Sequence, residues 1–261
     1  MSLDQATGFV KRQSLSTDAF LDGRLIVSQP AAGFRAGLDS VLLGASVGEG
    51  RKSLLELGAG VGTAALVAMA HNPDLDAVLL ERDAATAALA TDNVARNGFN
   101  ARARVLCLDV TAPGSSRLAA GVMADAYGSV IANPPYYGSG EGSSAPHPGR
   151  AAARHMDADQ LDLWVRAAAT SVAPRGEVIF IHRAESLPPL LGAFDRRFGG
   201  ITVLPLAPRP GRPATRILIR ALKGSRAPMT LLATRALHAV EGRGFAPEFE
   251  AIFRGSARLD W

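Results

Sequence analysis

Between residues 53 and 222, short apolar runs of strand type alternate with segments of helical apolar spacing, which confines the chain to an α/β architecture. "SLLELG" reads as a strand, "GTAALVAMAH" as a helix and "DAVLLER" as a strand. "AATAALATDNVARNG" is a helix closed by Gly98, and "RVLCLDV" and "GSVIAN" are further strands. "DADQLDLWVRAAATSV" is expected to be a helix with an Asp cap, and "GEVIFIHR" a strand. "SLPPLLGAFDRRFG" is a helix with prolines in its first turn. The last two strands, "ITVLPLAP" and "ATRILIRAL", are joined by a connection too short for a crossover helix and must pair antiparallel. The expectation is a mostly parallel seven-stranded sheet with helices on both faces and an antiparallel last pair. Ahead of it, "GRLIVSQ" reads as half of a small hairpin and "GLDSVLLGASV" as a helix with Asp39 near its start.

The first βα turn carries "LLELGAGVGT", with Gly58, Gly60 and Gly62 between strand and helix. Glycines there permit a tight turn and let backbone N–H groups approach a ligand. A nicotinamide fingerprint would want a glycine where Thr63 stands. The observed G-x-G-x-G, with Glu56 two residues ahead, instead resembles motif I of S-adenosylmethionine-dependent methyltransferases. The next strand ends in Glu81, nineteen residues after Gly62, where a carboxylate can accept from ribose hydroxyls. The third ends in Asp109, which in that superfamily faces the adenine amino group. The resemblance extends the cofactor set to the neighbouring Arg82 and Val110.

The fourth strand end is "NPPYYGSGEG", residues 133 to 142. Pro134 and Pro135 cannot donate to a sheet ladder, so the strand stops at Asn133, whose side chain is held stiffly at the strand end. Open α/β sheets bind ligands at the carboxyl ends of strands, although a proline turn that merely ends a strand is the plainer alternative. The motif [N/D]-P-P-[Y/F] resembles that of methyltransferases acting on planar exocyclic or amide nitrogens. The chain from about residue 16 to 225 is similar to the bacterial tRNA adenine-N6 methyltransferases that modify the adenosine beside the anticodon of valine tRNA. "DAFLDGRLIVSQPAAGFRAGLDSVLLGA", "ARH" at 153 to 155 and "PRPGRPATRILI" carry the likeness beside the two motifs, the first and the "PRPGRPA" of the last point to this family in particular, and the long "GSGEGSSAPHPGRAAA" stretch departs from it.

The resemblance implies a class I Rossmann-like domain binding S-adenosylmethionine and tRNA, with no metal. Asn133 and the Pro134 carbonyl would accept the hydrogens of the target amino group, and Tyr136 would stack on the base. Asn133 would also border the cofactor, and Arg35 and Asp39 would fold over it. Pro135, Tyr137 and His155 would line the substrate side. Tyr137 as packing, His155 as a helix-entry residue and Asp39 as an ordinary cap are the alternatives.

Charge adds a candidate RNA surface. The formal net charge is +4, and residues 209 to 226 hold six basic residues and no acid. Arg209, Arg212 and Arg216 are therefore candidates for phosphate contacts. Arginine outnumbers lysine 25 to 3, which a GC-rich genome could produce, but that bias does not explain the missing acids. Cys107 is the only cysteine, so neither an internal disulfide nor a four-cysteine zinc site is possible. His71, His147, His182 and His238 lack metal-ligand spacing. No run of eighteen apolar residues and no signal-type opening are present, so the expected location is the cytoplasm. The expected division is an amino-terminal hairpin and helix (1–50), a methyltransferase domain (51–225) and a carboxyl-terminal extension (226–261). Three rivals stand beside this reading: a protein glutamine methyltransferase, a non-catalytic RNA-binding module and a nicotinamide oxidoreductase. The first would carry a helical substrate domain before motif I.

Overall fold

The computed structural model describes residues 14–31, 35–135 and 149–261, with 149–157 by backbone alone. A two-stranded antiparallel hairpin, β1 (Leu15–Phe20) and β2 (Leu25–Pro30), precedes α1 (Leu38–Ala45). The main sheet runs in chain order through β3 (Ser53–Leu57), β4 (Asp76–Glu81), β5 (Ala103–Cys107), β6 (Tyr127–Ala132), β7 (Val172–Arg183), β8 (Gly199–Ala207) and β9 (Arg216–Leu222). Between them lie α2 (Thr63–His71), α3 (Ala84–Arg96), α4 (Gly114–Ala119), α5 (Gly149–Ser171) and α6 (Leu187–Asp195). The spatial order is β8-β9-β7-β6-β3-β4-β5, with β9 antiparallel to both its neighbours. The order reverses between β3 and β6, so the loops after these two strands splay apart and open a crevice at the sheet's carboxyl edge.

Both faces of the sheet are covered. α1 and α2 pack with the hairpin on one face, where Leu42, Leu66, Val67 and Leu25 are fully buried. α5 and α6 cover the other, through Val165, Ala168 and Phe194. Residues beyond β9 are built into the first face. Two short strands, β10 (Thr230–Leu231) and β11 (Arg235–Ala236), lie parallel against β8. The helix α7 (Pro247–Phe253) then sends Phe249 and Ile252 into the same core as α1.

Three local expectations need correction. α5 begins at Gly149, so Asp157 lies inside the helix and does not cap it. The connector before β6 contains α4, a one-and-a-half-turn helix with no buried residue and hence no apolar pattern to betray it. Asp39 makes no cap to α1, whose N-cap is Gly37; its carboxylate instead receives Arg216 Nε at 2.9 Å.

Candidate active site

The glycine loop crosses from β3 to α2 with Gly58, Gly60 and Gly62 all at positive φ, 65°, 55° and 87°. Only glycine adopts three such conformations in five residues without strain. Gly58 has a further constraint: a Cβ there would stand 2.3 Å from Trp164 Cη2 on α5. At Gly60, by contrast, a Cβ would meet nothing within 4 Å, because this backbone faces an open cleft.

That cleft has a volume of about 420 Å³ and lies at the carboxyl edge, between the glycine loop and the segment around α1. It is lined by Pro30, Ala36, Ser40 and Leu43 from the end of β2 through α1, by Gly60 and Val61 of the glycine loop, and by Glu81, Asp83 and Thr86 from the end of β4 and the start of α3. Glu81 braces the loop, its carboxylate accepting from Gly60 N at 2.9 Å and Asp83 N at 2.9 Å. Each bond occupies one lone pair of one oxygen, leaving acceptor capacity toward the cleft. Glu56 lies beneath, 4 % exposed, accepting from Ala65 N at 2.9 Å. Burial pushes its pKa up to about 8, with the Ala65 hydrogen bond opposing the rise and the Glu81 charge adding to it.

Asn133 opens onto the same cleft, one residue past the end of β6, with Pro134 buried behind it and Pro135 exposed. Tyr136 and Tyr137 lie outside the described residues. His155 is on α5, and its side chain is likewise outside them.

Several candidates stand apart from the cleft. Gly62 shapes the turn, and its position is pressed against Leu79. Arg35 is bound to Asp18 Oδ2 at 2.8 Å, and Arg82 is exposed at the strand end. Asp109 accepts from Thr111 N and Oγ1, both at 2.7 Å, and Val110 is buried below it. Arg209 donates to the carbonyls of Ala239 at 2.9 Å and Gly242 at 2.6 Å, which anchors the loop after β11. Arg212 is exposed at the turn between β8 and β9.

Asp83 and Ser40 are among the cleft residues that the motifs did not name. Asp83 accepts from Thr86 N and Oγ1 at the start of α3, and the D-x-x-T spacing was a visible cap signal. Ser40 reaches the cleft through the placement of α1, which no local pattern encodes.

A glycine cradle, a carboxylate at the ribose position of the second strand and a second acid below fit an adenosyl sulfonium ligand. Replacing Glu81 by Ala should weaken S-adenosylhomocysteine about tenfold or more in calorimetry, since a charged acceptor and the brace on Gly60 are both lost. An unchanged affinity in a folded variant would remove Glu81 from the ligand.

Fold and site together define a methyltransferase of the Rossmann-like, S-adenosylmethionine-dependent class. A family model described as methyltransferase small domain matches residues 39–183. The chain belongs to the bacterial tRNA1(Val) (adenine(37)-N6)-methyltransferase family. It is 30 % identical to the Aeromonas salmonicida member over 205 residues, 76 % of this chain and 80 % of the relative. With the Porphyromonas gingivalis member it shares 28 % identity over 67 % and 69 % of the two chains. Among solved structures, an Agrobacterium tumefaciens protein described as a predicted O-methyltransferase superposes with a TM-score of 0.72. That match has 29 % identity over 85 % of this chain and 98 % of the other. A Thermus thermophilus 16S rRNA N2 G1207 methyltransferase shares the fold, at TM-score 0.53 and 17 % identity over 80 % of this chain and 50 % of the other.

Proposed function

We propose that the chain methylates the exocyclic N6 of an adenine in tRNA, the adenosine beside the anticodon of valine tRNA. The observation that carries this reading is that Asn133 borders the cleft formed by the glycine loop and Glu81. An amide acceptor beside the cofactor cradle is what a planar amino group requires.

The N6 lone pair is delocalised into the ring, so the group is a poor nucleophile. The Asn133 side-chain oxygen and the Pro134 carbonyl would accept its two hydrogens, returning electron density to nitrogen. Both become stronger partners as nitrogen gains positive charge in the transition state, which is differential stabilisation by fixed dipoles. The bound sulfonium supplies an activated methyl group, so the chain need provide neither a covalent nucleophile nor a metal. Both acceptors are neutral carbonyls, so the proton displaced from nitrogen passes to water. Tyr136 would hold the base plane by stacking, and an adenine within the anticodon loop would be unstacked to reach it.

On the RNA side, Arg212 is the exposed arginine of the β8–β9 turn, which lies at the carboxyl edge of the sheet with Asn133. Arg212→Ala is expected to raise the tRNA KM several-fold, flatten the salt slope of binding by about 1 and spare cofactor affinity. An unchanged slope would move the phosphate surface elsewhere. Labelled methyl transfer to a valine tRNA transcript tests the reading. Substituting guanosine for the adenosine beside the anticodon should abolish transfer, and equal labelling of both transcripts would refute the assigned base.

A further inference from the structure

α3 holds the hairpin in an unusual way. Ile26 and Ser28 turn their backbone polar groups to the edge of β2 away from β1, and two asparagines one helical turn apart receive them. Asn97 Oδ1 accepts from Ile26 N at 2.9 Å, and its Nδ2 donates to Ile26 O at 2.9 Å. Asn93 Oδ1 accepts from Ser28 N at 2.8 Å, and its Nδ2 donates to Ser28 O at 2.9 Å. Residues i and i+2 of a strand and i and i+4 of a helix are both separated by roughly 6 to 7 Å, so the two carboxamides stand in for a neighbouring strand. Asn93 does more. The second hydrogen of its Nδ2 goes to the carbonyl of Val61 in the glycine loop, at 3.0 Å. With no exposed surface, its carboxamide has no water to turn to.

We infer that Asn93 is a positioning residue for the cofactor: one buried carboxamide ties the hairpin strand to the glycine loop, and both segments line the cleft. Pro30, two residues after Ser28, lines the same cleft as Gly60 and Val61, so the Asn93 bonds tie two segments of its lining together. Asn97 secures the hairpin farther from the cleft and does not touch the loop. The inference rests on the cofactor assignment of the cleft and is independent of which RNA base is methylated.

Asn93→Ala in the full-length enzyme tests it, with S-adenosylhomocysteine calorimetry as the first readout and steady-state kinetics as the second. The expected result is a Kd raised about tenfold or more, a raised cofactor KM and a tRNA KM within about twofold of the parent. Asn72 is the control for stability alone: it is buried away from the cleft, where it donates to Ala68 O and accepts from Arg258. Asn72→Ala is expected to leave cofactor affinity unchanged after a similar loss in thermal midpoint. An unchanged Kd for Asn93→Ala, or an equal loss for Asn72→Ala, would overturn the inference. Should Asn93→Ala fail to fold, Asn93→Ser is read in its place, since it keeps a small polar group beside the hairpin but is too short to hold both Ser28 and Val61. Asn93→Ser is expected to weaken cofactor binding about threefold, and no change would overturn the inference equally.

Discussion

Asn133→Ala is expected to lower turnover about a hundredfold or more while cofactor affinity stays within about twofold, the pattern of a hydrogen bond that strengthens only in the transition state. The residue sits at the strand end with buried Pro134 directly behind it, so its truncation leaves the sheet and its core intact. Asn133→Asp separates charge from hydrogen-bond capacity. An ionised carboxylate still accepts from the amino group, so partial activity should survive there but not in the alanine variant. Single-turnover measurement of methyl transfer, beside calorimetry with S-adenosylhomocysteine, resolves the two quantities. A loss falling mainly on cofactor affinity would assign Asn133 to cofactor binding alone.

Glu56→Gln should have opposite effects on stability and on binding. The Glu56 carboxyl is buried with one backbone donor, and its folded pKa of about 8 lies above the ordinary 4.5. A carboxyl raised in this way contributes its full share of stability below pH 4.5. Above that the unfolded chain releases the proton while the folded chain retains it, so stability falls until the pH passes about 8. The amount at stake is on the order of 5 kcal/mol. Glutamine retains an acceptor for Ala65 N and carries no charge. The variant should match the parent at pH 4 and unfold at a clearly higher temperature at pH 8.5. A cationic ligand above Glu56 favours its ionised form, so the same variant should bind S-adenosylmethionine more weakly. Parallel melting curves across this pH range would show that Glu56 is not the titrating group.

The sheet is legible in the sequence because each βα unit carries its own apolar run and its own turn chemistry. Glu81 and Asn133 are legible for the same reason, since both follow apolar strands at the edge where open sheets bind ligands. What lies beyond is set by contacts distant in sequence. Gly58 reads as a turn glycine, but nothing local announces the Trp164 ring 2.3 Å from where its Cβ would be. Asn93 and Asn97 fall in a segment that reads only as a helix closed by Gly98, whereas Asn93 is wholly buried against the hairpin. Charge counting treats Arg209, Arg212 and Arg216 alike. The fold gives Arg209 to two carbonyls and Arg216 to Asp39, and a tally of charges carries no direction. Residues 226–261 are opaque because β10 and β11 are two residues each, held by the edge of β8 and not by any period of their own.

The chemistry is methyl transfer to an adenine nitrogen. Its most direct test is mass-spectrometric identification of the methylated nucleoside after incubating the enzyme with S-adenosylmethionine and tRNA from cells lacking this activity. The expected product is N6-methyladenosine beside the anticodon of valine tRNA, lost with Asn133→Ala. A methyl group on a ribose oxygen or another base, or unmodified tRNA beside a methylated protein glutamine, would contradict it.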